Sequence, residues 1–176
     1  MESKANPAGF VASVMSKLVH KSDQTKPDTA FRAIMSKADN PAFESNAWEY
    51  LIPYCNIQND FERIPFALVG AAVAKIGAQS NGKSSIGKAF MNICENQADI
   101  EREKRRFRRL IACNSTLEIC SILRPILPYL AAKEKSDIDY IRLLKDLLSW
   151  NINIRERWAM DFYMHSVMNT EEESQS

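Results

Sequence analysis

Apolar residues recur at helical spacing through most of the sequence, and this pattern sets the fold class. Phe10, Val14 and Leu18 stand three to four residues apart, and Ile141, Leu144 and Leu148 repeat the spacing, as on one face of an α-helix. No stretch alternates apolar and polar residues as a half-buried strand does. The 176 residues include only 5 Gly and 7 Pro, which argues against a turn-rich β fold. The sequence therefore predicts an all-α helical bundle without a sheet.

The length and the apolar content predict one domain. Hydrophobic residues make up 45% of the chain, which is ordinary for a protein with a real core. We expect the domain to cover residues 9–165, as one body or as two lobes, 9–80 and 84–165, with flexible tails at 1–8 and 166–176. No signal peptide and no apolar run of about 18 residues is visible. A cytoplasmic location is therefore expected.

Short polar side chains predict where several helices begin. Asp28 or Thr29 precedes one apolar repeat and Ser84 or Ser85 precedes another. Asp137 stands in front of a strongly apolar segment. Such residues accept hydrogen bonds from the free N–H groups of a first turn, so each is predicted to be an N-cap.

Prolines add further expected boundaries. Pro65 suits the first turn of an alanine-rich, buried helix, where a missing N–H costs nothing. Pro125 and Pro128 are expected to bend or end the helix that contains them. The last helix is predicted at about 154–165.

The most informative segment for function is EREKRRFRRLIAC, residues 101–113. On a helix at about 100° per residue, Phe107, Leu110 and Ile111 share the core-facing side. The arginines occupy the opposite face and its flanks: Arg102, Arg105, Arg106, Arg108 and Arg109. Guanidinium groups bind phosphate well because their planar fork donates two hydrogen bonds and keeps its charge. The pattern predicts a nucleic-acid contact.

The alternative for this segment is a solvated helix held by ion pairs between neighbouring turns. Glu101 can pair with Arg105, but the other arginines have few acids within reach. The whole chain has a formal net charge of only +1, so a nucleic-acid contact has to come from a local patch.

Residues suited to metal binding or catalysis are sparse. The cysteines, Cys55, Cys94, Cys113 and Cys120, form no CxxC pair, and the histidines His20 and His165 lie near opposite ends. We expect no metal site, no cofactor and no catalytic residue, with reduced thiols packed in the core. Asp137 and Asp139 fit a helix start better than a catalytic carboxylate pair.

One motif keeps an enzymatic alternative open. GAQSNGKS, residues 77–84, fits the GxxxxGK[ST] loop that surrounds nucleotide phosphates with backbone N–H groups. In that reading Lys83 would contact phosphate oxygens and Ser84 a magnesium ion. The motif requires a buried strand before it, whereas the preceding segment has a helical pattern. A flexible loop between helices is the favoured interpretation.

The last helix adds two arginines to the basic surface. Arg155 and Arg157 precede Trp158, Phe162 and Tyr163. Aromatic side chains can stack on bases, yet the four-residue spacing of Trp158 and Phe162 is more typical of a core. The arginines are therefore the stronger candidates for a contact.

Three C-terminal segments resemble a known family as an ordered set. EKRRFRRLIAC, IDYIRLLKDLLSW and RERWAMDFY are similar to the CasB family, the small subunit of the type I-E CRISPR Cascade surveillance complex. SIGKAF, residues 85–90, resembles a further family segment, and FVASVMSKL, TAFRAIMSKA and AWEYL resemble its N-terminal helices more loosely.

The resemblance implies an all-α, non-enzymatic subunit for antiviral defence. In the family, more than one copy lies along CasC-type backbone subunits that hold the CRISPR RNA, within a complex that also has a CasA-type large subunit. The basic surface is thought to steady the RNA–DNA hybrid and the displaced DNA strand. The family motifs place nucleic-acid-contacting residues at Arg32, Lys88, Arg105, Arg106, Arg108, Arg109, Arg155 and Arg157.

Overall fold

The computed structural model describes residues 5–19 and 28–173, with side chains to residue 164. This part of the chain contains nine α-helices and no strand, which confirms the all-α prediction. The first four helices are α1 (Pro7–Leu18), α2 (Thr29–Met35), α3 (Trp48–Leu51) and α4 (Asp60–Ile76). The others are α5 (Ile86–Asn92), α6 (Gln97–Ile111), α7 (Thr116–Ala131), α8 (Tyr140–Leu148) and α9 (Ile152–Glu173).

Helix α4 is the centre of the bundle. Every residue from Pro65 to Ala74 is buried, as the apolar run PFALVGAAVA predicts for a helix surrounded by protein. Helices α1, α2, α7 and α8 all pack against it. Helix α4 thus contacts helices from both halves of the chain. The division into two lobes stays a prediction.

A second layer is formed by α5, α6 and α9, which pack against each other. Three phenylalanines join these helices: the rings of Phe107 and Phe162 stack at 4.4 Å, and Phe90 meets Phe107 edge to face at 5.6 Å. Gly87 on α5 makes close approach possible, because a Cβ at this position would lie 2.4 Å from the carbonyl oxygen of Trp158. This layer fixes the orientation of the basic helix α6.

The predicted helix starts are partly confirmed. Asp28 and Ser85 each accept a hydrogen bond from a first-turn N–H. Asp137 is not an N-cap: it has a positive φ of 44°, and Asp139 caps α8 by accepting from Arg142 N. The cap moves because Asp137 holds the neighbouring loop through its carbonyl oxygen, which accepts from Lys83 and Ser84.

The prolines do not mark the expected helix boundaries, and a bend at Pro125 or Pro128 stays a prediction. Pro65 lies inside α4, because Asn59 accepts from Phe61 N and starts the helix five residues earlier. Pro125 and Pro128 lie inside α7, which continues to Ala131. An internal proline costs about 3 kcal/mol, whereas burying a leucine gains about 1.5–3 kcal/mol. Leucines line the buried face of this helix: Leu123, Leu127 and Leu130 are all 0% exposed, and their burial outweighs the cost.

The last helix is longer than predicted. It begins at Ile152 and continues to Glu173, beyond the expected end at 165 and into the segment assigned to a C-terminal tail. Asn151 Oδ1 accepts from Asn153 N and Ile154 N and defines its start. None of the described helices is long and apolar enough to cross a membrane.

Candidate nucleic-acid interface

Helix α6 exposes most of its arginines because its other side is anchored in the core. Phe107 and Leu110 are fully buried and Ile111 is half-buried, as the spacing predicts. Asn96 caps the helix by accepting from Asp99 N. With these residues fixed, the arginines can only point outward or along the flanks.

One flank of α6 is held by a buried acid. Glu103 is 0% exposed, and its Oε1 accepts from Arg106 Nη1 at 2.7 Å, Arg102 Nε at 3.1 Å and the Tyr129 hydroxyl at 2.9 Å. Arg102 also pairs with Asp99 at 2.7 Å. The guanidinium of Arg106 lies 4.5 Å from the centre of the Tyr129 ring. We call this group, Asp99, Arg102, Glu103, Arg106 and Tyr129, the Glu103 cluster.

The Glu103 cluster strongly favours the charged form of its arginines. The hydrogen bond to Glu103 and the nearby Asp99 raise the pKa of Arg102. At Arg106 burial opposes the charge, but the hydrogen bond to Glu103 and the charge of Glu103 outweigh it, so the pKa is raised. Arg102 and Arg106 are thus charged but already paired, contrary to the expectation that few acids lie within reach.

The outward side of α6 carries arginines of a different kind. Arg105, Arg108 and Arg109 are exposed, and their guanidinium groups have no hydrogen bond or ion pair within the described chain. Glu101 pairs with Lys104 at 3.4 Å and not with Arg105. At a rise of about 1.5 Å per residue, Arg105 and Arg109 are about 6 Å apart along the helix. We call Arg105, Arg108 and Arg109 the free arginines.

Two predicted contact residues outside α6 have structural partners. Arg32 donates to the carbonyl oxygens of Ala74 and Lys75 at 3.1 and 3.3 Å and so caps the C-terminus of α4. Arg155 donates to Cys113 O and to Asn114 Oδ1, which ties α9 to the turn after α6.

Two further predicted residues lie on α5 and α9. Arg157 pairs with Asp146 of α8. Lys88 is half-buried on α5 and has no side-chain partner within the described chain. The structure therefore does not gather all nine predicted residues into one unpaired surface.

The aromatic residues of α9 belong to the core. Trp158 and Phe162 are 0% exposed, and Trp158 Nε1 donates to Asp146 Oδ2 at 2.6 Å. These rings have no free face for a base, which agrees with the core interpretation of their spacing.

The GAQSNGKS segment has an unsuitable context for a phosphate loop. It follows a helix, α4, and not a strand. Its amides are already used: Gly82 N donates to Ile138 O at 3.0 Å, and Lys83 N and Ser84 N donate to Asp137 O at 3.0 and 2.8 Å. The short bridge between Ser84 and Ile138 holds the loop against the start of α8. Nothing in this geometry supports the nucleotide-binding alternative.

The cysteines and histidines form no site in the described residues. All four thiols are free, and burial raises the pKa of Cys55 and Cys120 to about 12 and that of Cys94 and Cys113 to about 11. No group of three His, Cys, Asp or Glu side chains there could hold a metal ion. His20 and the side chain of His165 lie outside the described residues.

Comparison with known proteins decides the family. The family model of CRISPR-associated protein Cse2 matches residues 19–163, which is most of the chain. The chain belongs to the Cse2 family. The resemblance to CasB drawn from the sequence is thereby confirmed, and the Cse2 family is one of structural subunits of Cascade.

A solved structure shows the same fold. The crystal structure of CasB from Thermus thermophilus superposes with a TM-score of 0.63 at 23% sequence identity, covering 90% of this chain and 98% of that chain. None of the curated proteins matches. Cse2 membership and this superposition agree on the arrangement of helices and leave the contacts of individual arginines to be tested.

Sequence reasoning missed Glu103, although a signal was present. Glu103 stands four residues before Phe107 and seven before Leu110, which places it within the inward-facing stripe of the Cse2 basic helix. A carboxylate at such a position needs paired donors. Arg106, one turn later, and Arg102 beside it are the nearest cations in sequence. Its third donor, Tyr129, is 26 residues away and has no local signal.

Proposed function

We propose that this protein is a non-catalytic small subunit of Cascade that contacts nucleic-acid backbones through the free arginines of α6. The observation that carries the proposal is the presence of three exposed guanidinium groups, Arg105, Arg108 and Arg109, without partners in the described chain. Family membership supports the place in Cascade. The complex, and therefore the protein, is expected in the cytoplasm.

Backbone contact is the chemistry that these residues suit. A guanidinium group donates two parallel hydrogen bonds to phosphate oxygens, and contacts with phosphate position a protein without reading sequence. In RNA-guided complexes base pairing with the guide reads the sequence. Arginines on a rigid helix are sufficient to steady the RNA–DNA hybrid or the displaced strand.

The proposed partners follow from the place in the complex. They are the CasC-type backbone subunits, the CasA-type large subunit, a second copy of this protein, the CRISPR RNA, and the target and displaced DNA strands. Of the predicted contact residues, the free arginines and Lys88 are available to phosphate groups as they stand. Arg102 and Arg106 first have to leave the Glu103 cluster, and Arg32, Arg155 and Arg157 have to leave their structural partners.

Charge reversal tests the proposal. Arg105→Glu combined with Arg109→Glu should leave the fold intact, because both side chains are exposed and unpaired, and should weaken retention of target DNA by the assembled complex. The plot of log affinity against log salt has a negative slope, and each lost phosphate contact makes that slope shallower by about 0.7–0.9. The difference from wild type should therefore shrink as salt rises. The measurement is target-DNA dissociation from reconstituted Cascade over a salt series.

A matched control separates local contact from net charge. Lys37→Glu combined with Lys145→Glu changes the net charge by the same amount at two exposed positions on other helices and loops of the bundle. This control should retain DNA as wild type does. Equal retention at low salt by wild type and the Arg105/Arg109 variant would contradict the proposal, and would leave a scaffold whose arginines serve only protein partners.

A further inference from the structure

A cleft of about 470 Å³ opens between α6 and α7, beside the free arginines. Ile122, Pro125 and Ile126 supply its apolar wall from α7, and Arg106 and Arg109 face it from α6. The volume is within the range of about 300–1,000 Å³ that is typical of small-ligand sites. The cleft is therefore large enough for one nucleotide.

One residue of the cleft lacks its usual helical hydrogen-bond donor. Pro125 has no N–H, so it cannot donate the usual helical hydrogen bond to the carbonyl oxygen of Ser121. Ser121 lines the same cleft and is exposed, and its hydroxyl can both donate and accept. A planar group with amino donors at its edge would find an acceptor here.

Cationic groups face the cleft from the α6 side. Arg109 is one of the free arginines and can hold a phosphate. The planar guanidinium of Arg106 is held in place by its contact with Tyr129, 4.5 Å from the ring centre, and by its bond to Glu103. Flat guanidinium groups and apolar side chains are surfaces on which unpaired bases stack.

We propose that this cleft binds one unpaired nucleotide of a single strand, with its base between Arg106 and the isoleucines and its phosphate on Arg109. The inference rests on the proposed function and extends it from the backbone to a base. A nucleotide is favoured over a peptide because the charged groups lining the cleft are arginines, and because an apolar slot beside a phosphate-binding cation matches the two parts of a nucleotide. Stacking of this kind tolerates any base, as a sequence-independent subunit requires.

Photocrosslinking tests the site in the assembled complex. Target DNA carries 4-thiothymidine in its displaced strand, and the crosslinked peptides are identified by mass spectrometry after irradiation. Wild type should crosslink within residues 116–131. Ser121→Trp, which fills the cleft from an exposed position, should reduce that crosslink about tenfold, the effect of losing one stacked base. Ser16→Trp, at an exposed serine of α1, should leave it unchanged.

The outcomes separate this inference from the proposed function. DNA retention that needs Arg105 and Arg109 but gives no crosslink on α7 would overturn the cleft and leave the backbone contact standing. A crosslink that Ser121→Trp does not reduce, or a cleft found against a neighbouring protein subunit, would also overturn it. Loss of every crosslink to this chain, together with no effect of the arginine variant on retention, would overturn both.

A second measurement uses DNA without bases in part of the displaced strand. Wild type should retain a strand with bases about tenfold more strongly than the abasic strand, and Ser121→Trp should abolish this preference. The salt slope should be the same for wild type and Ser121→Trp, because the phosphate contacts are unchanged. Equal retention of the two strands by wild type would count against the cleft.

Discussion

Replacing Glu103 by glutamine should destabilise the protein and strengthen its contact with nucleic acid at the same time. The substitution keeps the shape of a fully buried side chain but removes the charge that holds Arg102 and Arg106. Arg106 then loses its acid partner and becomes available on the surface of α6, whereas Arg102 keeps its pair with Asp99. Opposite changes in stability and in binding from one substitution are a specific consequence of the Glu103 cluster.

The cost in stability can be estimated from the bonds that change. A hydrogen bond to a charged group contributes about 1.5–3 kcal/mol, and Glu103 accepts from two arginines and from Tyr129. The arginines are 47% and 40% exposed, so water replaces part of what they lose. We expect a loss of about 2 kcal/mol in unfolding free energy. For a chain of this length that corresponds to about 4–8 °C in Tm, measured by circular dichroism.

The gain in binding can be estimated from counterion release. Each new contact with a single-strand phosphate steepens the salt slope by about 0.7, so the release of Arg106 should add about 0.7. The measurement is DNA retention by the reconstituted complex over a salt series, as for the Arg105/Arg109 variant.

Glu101→Gln is the matched control for this prediction. It changes the net charge equally but releases only Lys104, whose pair with Glu101 is exposed and 3.4 Å long. Its effect on stability should stay within about 0.5 kcal/mol. A Glu103→Gln protein that is as stable as wild type, or whose salt slope equals that of Glu101→Gln, would refute the reasoning.

Two further predictions concern the packing around α9. Gly87→Ala should lower the unfolding free energy by about 1–3 kcal/mol, because the new Cβ would lie 2.4 Å from the backbone of Trp158 and 2.9 Å from that of Phe162. Urea denaturation measures the loss. A loss no larger than that of Lys88→Ala would contradict the prediction. Burial raises the pKa of Asp146 above 3.8, although Trp158 and Arg157 lower it. The folded state therefore holds this proton more tightly than the unfolded chain, so the stability of wild type relative to Asp146→Asn should fall as pH rises from about 3.8 through the raised pKa. Urea denaturation over that pH range measures the difference, and a difference that stays constant or grows with pH would exclude the raised pKa.

The fold class and the orientation of α6 were predictable because they depend on local periodicity. Phe107 and Leu110 are buried where a 3.6-residue repeat places them, and Asp28 and Ser85 cap helices as their side-chain chemistry suggests. The helix boundaries expected at the prolines were wrong because only the local cost of a proline inside a helix was considered. The leucines of α7 bury enough apolar surface to keep the helix intact through Pro125 and Pro128, and that gain depends on neighbours distant in sequence.

The basic site was predictable as a segment but not residue by residue. The density of arginine in residues 101–113 pointed to a phosphate contact, and the structure shows that these arginines differ in their partners. Arg32 could not be recognised as the cap of α4, because the carbonyl oxygens that it binds are more than 40 residues away. Similarly, Arg157 on α9 forms an ion pair with Asp146 on α8. Pairing across helices decides which cations remain available, and a single sequence does not report it.

The position of α7 explains how a nearly neutral chain can offer a basic surface. Helix α7 packs against one flank of α6, and its Tyr129 completes the Glu103 cluster, so the arginines on that flank at positions 102 and 106 are neutralised within the protein. Arg105, Arg108 and Arg109 lie a third of a turn or more around the helix from Glu103 and meet no acid in the described chain. The net charge of +1 sums over paired and unpaired cations alike and hides this difference. The strength of nucleic-acid contact should therefore depend on the few unpaired cations. Variants of the free arginines and of Glu103 should change it far more than variants that change the net charge elsewhere.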